Sequence, residues 1–417
     1  MVVKNNWRLL VFGVIHSVIL LLLFNCGLYQ NSSLTGDLKL FFEYSSKIFQ
    51  GLLPYRNFTV EYPPGALVFF TIPRLFGSTL DGYHNAFAAE ILVFDLLALY
   101  FLEKLSRSLS VKPAITLIVY TLLILAIGPI LIYRFDLIPA VMVLASLYFL
   151  SQKKFGLAWA MLAAGVITKI YPVVIAPIFL IYELSQRGYK ETIKEIAYCA
   201  LWTEIIIAPF FILSPSGFVN SFTLQMQRGL QLESTYSSFI LLLQNLGITE
   251  VYIKTTITPL ATSNIISGAA GVLVKVAPVI MAAALLFLYW LFYRRYWDKF
   301  RNSFSAGSED TANVIYYAFL AVLIFVLTSV VFSPQYFIWF LAIAPLITRP
   351  KKYVIWLALV ITAILTYYEF PLHYNLLQAG DPKLVYVLVA RNILLIALAL
   401  WLIERGTIKW KTGYNKQ

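Results

Sequence analysis

Residues 155–184 read FGLAWAMLAAGVITKIYPVVIAPIFLIYEL, an apolar run interrupted by Lys169 and Pro172. As one tilted helix, the run crosses a bilayer once and carries Arg187, Lys190 and Lys194 to the far side from Lys153 and Lys154. As two short helices, it forms a hairpin and keeps all five cations on one side. The second reading is the physical one. A proline removes a backbone donor and disfavours helix at the residue before it, and a lysine in mid-span costs several kcal/mol. About fourteen residues of helix rise only ~21 Å, short of a ~30 Å hydrocarbon core. Such a hairpin must end in a protein-lined, wet cavity rather than in lipid, with Lys169 at its tip.

Extending the same reading outward gives candidate spans at 8–28, 83–104, 113–132, 136–151, 155–168, 171–184, 193–213, 265–293, 312–332, 336–348, 353–370 and 384–404. The chain is therefore predicted to be an all-α polytopic membrane protein with about 12 transmembrane helices (range 10–13) and both termini cytoplasmic. Composition agrees: of 417 residues, 60% are hydrophobic and 12% charged, with mean hydropathy +0.79. No soluble domain hides that much apolar surface. With alternating spans, about two thirds of the 32 lysines and arginines fall on the cytoplasmic side, from Lys4 and Arg8 through Arg294, Lys299, Arg301 and Arg349 to Lys409, Lys411 and Lys416. This follows the positive-inside rule. The net charge of +12 is thus read as loop cations, and nucleic acid is not expected as a partner. Cys26 and Cys199 both lie in apolar runs, so neither a disulfide framework nor a cysteine metal site is expected. The first span has a long apolar run without a small-x-small site after it, and reads as retained rather than as a cleaved signal.

Two long external segments remain, 29–82 and 214–264. Leu38, Phe41, Phe42, Ile48 and Phe49 lie largely on one helical face, and 218–232 reads similarly. Both suit interfacial helices. Charges next to the spans gather on the same side. Arg134 and Asp136 open the fourth span, Lys169 tips the hairpin, Lys275 lies in the eighth span and Arg391 in the outer part of the twelfth. Asp37, Glu43, Glu61, Arg228, Glu233, Glu369, His373 and Asp381 are external as well. Any one of them suits a structural ion pair or an interfacial snorkel. As a set, cations at headgroup level suit a phosphate.

The most informative motifs begin at Gly36-Asp37-Leu38, just past the first span. They continue through Gln50-Gly51-Leu52-Leu53-Pro54-Tyr55-Arg56-Asn57-Phe58 to Glu61-Tyr62-Pro63-Pro64-Gly65. Further along come Arg134-Phe135-Asp136-Leu137-Ile138-Pro139, Thr168-Lys169-Ile170-Tyr171-Pro172, Arg228 to Ser234, and Ser333-Pro334-Gln335-Tyr336 followed by Trp339. In this order they resemble the GT-C class of membrane glycosyltransferases. The similarity is greatest to the polyprenyl-phosphate-sugar-dependent family that includes the α-mannosyltransferases of phosphatidylinositol mannoside assembly. The matches cover residues 36 to about 340.

The resemblance implies a single membrane-embedded domain over 1–417, with 29–82 and 214–264 as its two functional loops. It also implies a polyprenyl-phosphate-sugar donor, a glycolipid or glycan acceptor, and contact with membrane lipids. Asp37 matches the first-loop acid that serves as catalytic base in the class. Arg134, Lys169, Arg228, Arg391, Gln335, Tyr336 and His373 are then expected to bind donor phosphate or sugar. Glu61, Tyr62, Asp136 and Glu233 are expected to hold the acceptor or support the site. Oligosaccharyltransferase-type members carry a large soluble C-terminal domain that these residues do not include. Protein O-mannosyltransferases pair two acids after the first span, whereas Leu38 follows Asp37 here. Neither branch is expected.

The implied chemistry is an inverting displacement, with mannose the expected sugar and the extracytoplasmic face of the plasma membrane the expected location. It requires no cofactor. A divalent cation stays open, because Asp37, Glu61 and Asp136 could converge, although no His or Cys cluster accompanies them. Asp37 also suits a cap on a helix starting near Leu38. Asn31-Ser32-Ser33 and Asn57-Phe58-Thr59 match the glycosylation pattern. A lipid flippase or transporter shares the many spans and the buried charges, and a noncatalytic subunit of a glycan-assembly complex shares the lipid contacts.

Overall fold

A computed structural model describes residues 7–25, 32–256, 262–302, 308–348 and 351–407. Lys4, Cys26, Asn31, Arg349, Lys409, Lys411 and Lys416 lie outside them. The first half contains α1 (Trp7–Phe24), α2 (Ser32–Phe49), α3 (Pro64–Thr71), α4 (Leu80–Ser108), α5 (Pro113–Ile127), α6 (Leu137–Ser151), α7 (Phe155–Thr168), α8 (Ala176–Arg187) and α9 (Tyr189–Leu213). Next come α10 (Pro215–Met226), β1 (Leu230–Gln231), α11 (Thr235–Asn245), β2 (Tyr252–Thr256) and β3 (Thr262–Ile266). The chain then continues through α12 (Gly268–Asn302), α13 (Ser308–Thr328), α14 (Phe337–Leu341), α15 (Lys352–Tyr367), α16 (Tyr374–Gln378) and α17 (Pro382–Thr407).

Among the described residues, 8 helices are long and apolar enough to cross a membrane: α1, α4, α5 with its 3₁₀ extension, α9, α12, α13, α15 and α17. The other four predicted spans are short helices, at α6, α7, 171–187 and 334–346. The predicted hairpin is present. Lys169 leaves α7 in extended geometry (φ −155°, ψ 130°), and residues 171–175 form a 3₁₀ turn before α8. Prolines stand in the first turn of α3, α5, α8 and α10, where a missing N–H costs least. Gly188, at φ +76°, separates α8 from α9.

Burial shows what each helix faces. Every residue from Val314 to Leu323 of α13 is at most 1% exposed, so α13 runs through the centre. Trp202 and Ile212 of α9, and Leu10 and Leu22 of α1, are exposed by 65–73%. An aliphatic and aromatic surface of that extent needs lipid rather than water. Inside it, His16 Nδ1 lies 2.6 Å from Asp95 Oδ2, the Tyr120 hydroxyl donates to Asp95 Oδ1 at 2.8 Å, and His16 Nε2 lies 2.9 Å from Thr121 Oγ1. This network ties α1, α4 and α5 together and satisfies their buried polar groups.

The all-α polytopic expectation is borne out, and a small sheet accompanies the helices. Between α10 and α12 lies a three-stranded antiparallel sheet in the order β1-β3-β2, with Leu230 opposite Ile265 and Lys254 opposite Asn264. The predicted span at 265 begins too early: Ile265 and Ile266 belong to β3, and α12 starts at Gly268. The helix expected over 218–232 stops at Met226. The β-branched residues Ile253, Thr255, Thr256, Thr262, Ile265 and Ile266 favour a pleated, half-buried surface. With α11, α16 and the start of α17 the sheet encloses a second core of Leu232, Ile240, Leu377 and Leu388.

This cap packs on the first loop at close range. A Cβ on Gly217 of α10 would lie 1.8 Å from the Tyr55 carbonyl oxygen, and Ser214 Oγ donates to that same oxygen at 3.1 Å. Gly217→Ala therefore forces backbone apart. It is expected to cost ~1–3 kcal/mol, read as a lower thermal unfolding midpoint of the purified protein, whereas Gly36→Ala, inside α2 with open space around it, leaves the midpoint unchanged or raises it.

Candidate active site

Asp37 lies within α2, several residues past its start at Ser32. It is therefore not the helix cap, and its carboxylate is free for other work. Asp37 Oδ2 is 3.3 Å from Arg134 Nε, with the Asp37 side chain 30% exposed. Arg134 is held from behind. Its Nη1 donates to the Leu34 carbonyl at 2.6 Å, its Nη2 donates to that of Ser33 at 3.1 Å, and its guanidinium sits 5.8 Å from the Phe370 ring centre. The arginine thereby docks the first turn of α2 onto the loop that opens α6, which fixes where Asp37 points.

Two residues on, Asp136 is buried. Its Oδ1 accepts from Lys169 Nζ and from Trp339 Nε1, both at 2.6 Å. The lysine ammonium also stands 4.5 Å from the Phe135 ring centre and 5.2 Å from that of Trp339. Trp339 is the middle ring of a stack, 4.2 Å from Tyr171 and 3.8 Å from Tyr336. Three motifs, the first and last of them 203 residues apart at Asp136 and Trp339, thus share one wall. The hairpin break makes this possible: without it Lys169 would lie within a continuous helix.

The opposite wall is the loop after α2. Arg228 Nη2 is 3.6 Å from Glu61 Oε2, and Gln225 Nε2 donates to the Glu61 carbonyl at 2.9 Å. The Tyr55 hydroxyl donates to the Tyr62 carbonyl at 2.6 Å, and the Tyr62 ring packs edge-on to Phe70 and Phe135. The charge of Asp37 acts on Glu61, Tyr62, Tyr336 and Lys169, so these residues lie near it. Burial pushes the Glu61 carboxyl up to about 7; Arg228 opposes this and Asp37 adds to it. Burial likewise pushes Glu233 up to about 7.

The sign of the Glu61 shift yields a prediction. A carboxyl with a raised folded-state pKa contributes stability below its unfolded value of 4.5, and loses that contribution as pH rises through about 7. Glu61→Gln has no proton to lose. Its unfolding midpoint is expected to gain on the wild type between pH 5 and pH 8; a gap that does not change with pH contradicts the assignment.

Not every expected residue joins this cluster. Arg391 is 0% exposed. It pairs with Glu369, donates from Nε to Asn392 Oδ1 at 3.0 Å and from Nη2 to the Glu233 carbonyl at 2.6 Å, and lies over the Phe332 ring at 4.4 Å. Its charge is fully engaged inside the protein, so it anchors the 230–234 turn to α17 rather than offering a guanidinium to a phosphate. Glu233 is buried beside it. His373 is held by Tyr368, through a 2.9 Å contact of Nδ1 with the carbonyl oxygen and through ring packing. Gln335 Oε1 accepts from Ser333 Oγ at 2.5 Å. Lys275 is exposed on α12. Asp37, Glu61 and Asp136 each stand beside a cation, and among the described residues no three His, Cys, Asp or Glu side chains gather as a metal set. Sequence reasoning did not foresee Phe135, Tyr171 and Phe370 as walls. Two of them sit inside the quoted motifs, and Phe370 carried no signal.

Residues 58–308 match the profile of glycosyltransferase family 87. No curated protein matches the sequence. Among solved structures, the chain is similar to the Archaeoglobus fulgidus oligosaccharyltransferase tethered by a disulfide bond to an acceptor peptide containing the NVT sequon. The TM-score is 0.40 at 13% identity, covering 99% of this chain and 56% of that one. The chain thus spans little more than half the length of that protein.

Proposed function

The chain belongs to glycosyltransferase family 87, and from that premise we propose that it moves a hexose, mannose foremost, from a polyprenyl-phosphate donor to a hydroxyl of a glycolipid or glycan at the membrane surface. Asp37 takes the proton of the acceptor hydroxyl as its oxygen attacks the anomeric carbon. The bond from that carbon to the phosphate oxygen breaks, and the phosphate leaves as an anion. A leaving group of that kind needs no general acid, so one base suffices. Lys169, Arg134 and Arg228 meet the developing negative charge. Tyr336 and Gln335 border the sugar, with Glu61 and Tyr62 on the acceptor side. The step as written uses no cofactor.

One observation carries the reading: a partly exposed carboxylate 3.3 Å from a fixed arginine, with a lysine and a second arginine brought into the same cluster of charges from distant segments. Asp136 and Lys169 lie at one end of the α6–α7 hairpin and the Lys153–Lys154 turn at the other. With those lysines in the cytoplasm, the site opens on the extracytoplasmic side of the plasma membrane.

The test is purified protein in proteoliposomes with labelled polyprenyl-phosphate hexoses and a lipid extract as acceptor. Label is expected in a glycosylated product. Movement of intact donor between leaflets without transfer would favour a flippase, and neither outcome would favour a noncatalytic subunit.

A further inference from the structure

Two adjoining cavities open beside α7, the first of them at its end away from Lys169. One, of about 590 Å³, is bordered by Lys153, Lys154 and Arg187. The other, of about 440 Å³, runs along α7 and α9 from Gly156 past Ala160 and Ala164 to Ile167. They share Gly156, Leu157 and Glu195, so they form one continuous groove. Its floor is shallow because α7 presents small residues, and its outer wall is tall because Tyr198 and Trp202 of α9 stand 53% and 65% exposed. From Gly156 to Ile167 the helix rises ~16 Å, about half of the ~30 Å hydrocarbon core. That is the depth of one leaflet.

The mouth carries charges of both signs. Lys153 and Lys154 make no ion pair among the described residues. Arg187 is already surrounded by Glu183, Glu191 and Glu195 at 3.2–3.3 Å, and Lys190 and Lys194 lie on the first turns of α9 beside Glu191 and Glu195, so the α8–α9 side of the mouth is balanced in charge. Glu195 Oε1 faces Arg187, while its Oε2 turns over Gly156, at the point where the two cavities meet. A purely anionic headgroup would meet Glu195 at close range, and a purely cationic one would meet the two lysines. A headgroup carrying both signs fits both.

We propose that this groove holds one phospholipid with a phosphate and a primary ammonium in its headgroup, its phosphate on Lys153 and Lys154, its ammonium on Glu195, and one acyl chain along α7 and α9. The site is separate from the Asp37 cavity and stands whether or not sugar is transferred. A bilayer phospholipid is favoured over the isoprenoid chain of a donor because the polar mouth lies at the end away from Lys169.

The full chain is purified in detergent, exposed to equal amounts of phosphatidylethanolamine, phosphatidylcholine and phosphatidylglycerol with identical acyl chains, and examined by native mass spectrometry. The wild type is expected to retain phosphatidylethanolamine about tenfold over the other two, the scale of one charge-assisted hydrogen bond. Glu195→Gln is expected to abolish the preference over phosphatidylcholine while total retention persists. The double change Lys153→Gln and Lys154→Gln is expected to lower retention of all three lipids, as is Ala160→Phe, which fills the groove. Each variant is compared only where its gel-filtration profile matches the wild type. Equal retention of the three lipids by the wild type, recovery of an isoprenoid lipid in their place, or well-folded variants that retain lipid as the wild type does would each overturn the proposal.

Discussion

Asp37→Asn is expected to lower the transfer rate by ~10³-fold while the protein remains folded. General-base catalysis contributes about 10²–10⁴-fold, and no second carboxylate stands ready to replace Asp37: Asp136 is buried behind Lys169 and Trp339, and Glu61 faces Arg228. The amide is nearly isosteric and keeps a carbonyl oxygen for Arg134, so α2 should stay docked through the Leu34 and Ser33 carbonyls. The acceptor KM should change little, since the lost step is proton removal rather than binding. Near-normal turnover in this variant would remove Asp37 from the chemistry.

Lys169→Met is the second large effect, and it combines two losses. On the proposed mechanism the donor phosphate loses a cation, which costs ~10²–10³-fold in rate. Asp136 also loses its ionic partner in a buried site, which costs about 3–5 kcal/mol of stability. A second substitution separates the two. Adding Asp136→Asn removes the unpaired charge and keeps an acceptor for the Trp339 indole, so the double variant should recover most of the unfolding midpoint but none of the rate. If both return together, Lys169 acts only by holding Asp136. If neither does, the aromatic stack on Trp339 depends on the charge pair itself.

Much of the bundle is legible in the sequence because lipid imposes a blunt rule. A run of apolar residues with cations at one end crosses, and a proline beside a lysine ends it. The sheet is harder to read. Ile265 and Ile266 are as apolar as the residues of α12 that follow, and only the β-branched pairs Ile253–Ile265 and Thr256–Thr262 distinguish strand from span. The site is legible where chemistry is local to a motif, as at Asp37 and in the Arg134–Asp136 pair. It is not legible where a side chain's partner comes from far along the chain. Arg391 and Lys169 look alike in sequence, each a cation near the outer end of a span. Glu369 and the Glu233 carbonyl enclose the first, while a broken hairpin leaves the second 15% exposed at the cavity. Spacing does not encode that difference.

The proposed reaction is a single displacement assisted by one base. Its most direct test is the anomeric configuration of the product formed from a β-linked polyprenyl-phosphate sugar, read by the one-bond carbon–proton coupling at the anomeric centre. An α-linked product is predicted. A β-linked product would require a covalent or dissociative route that a lone Asp37 does not provide, and would contradict the mechanism.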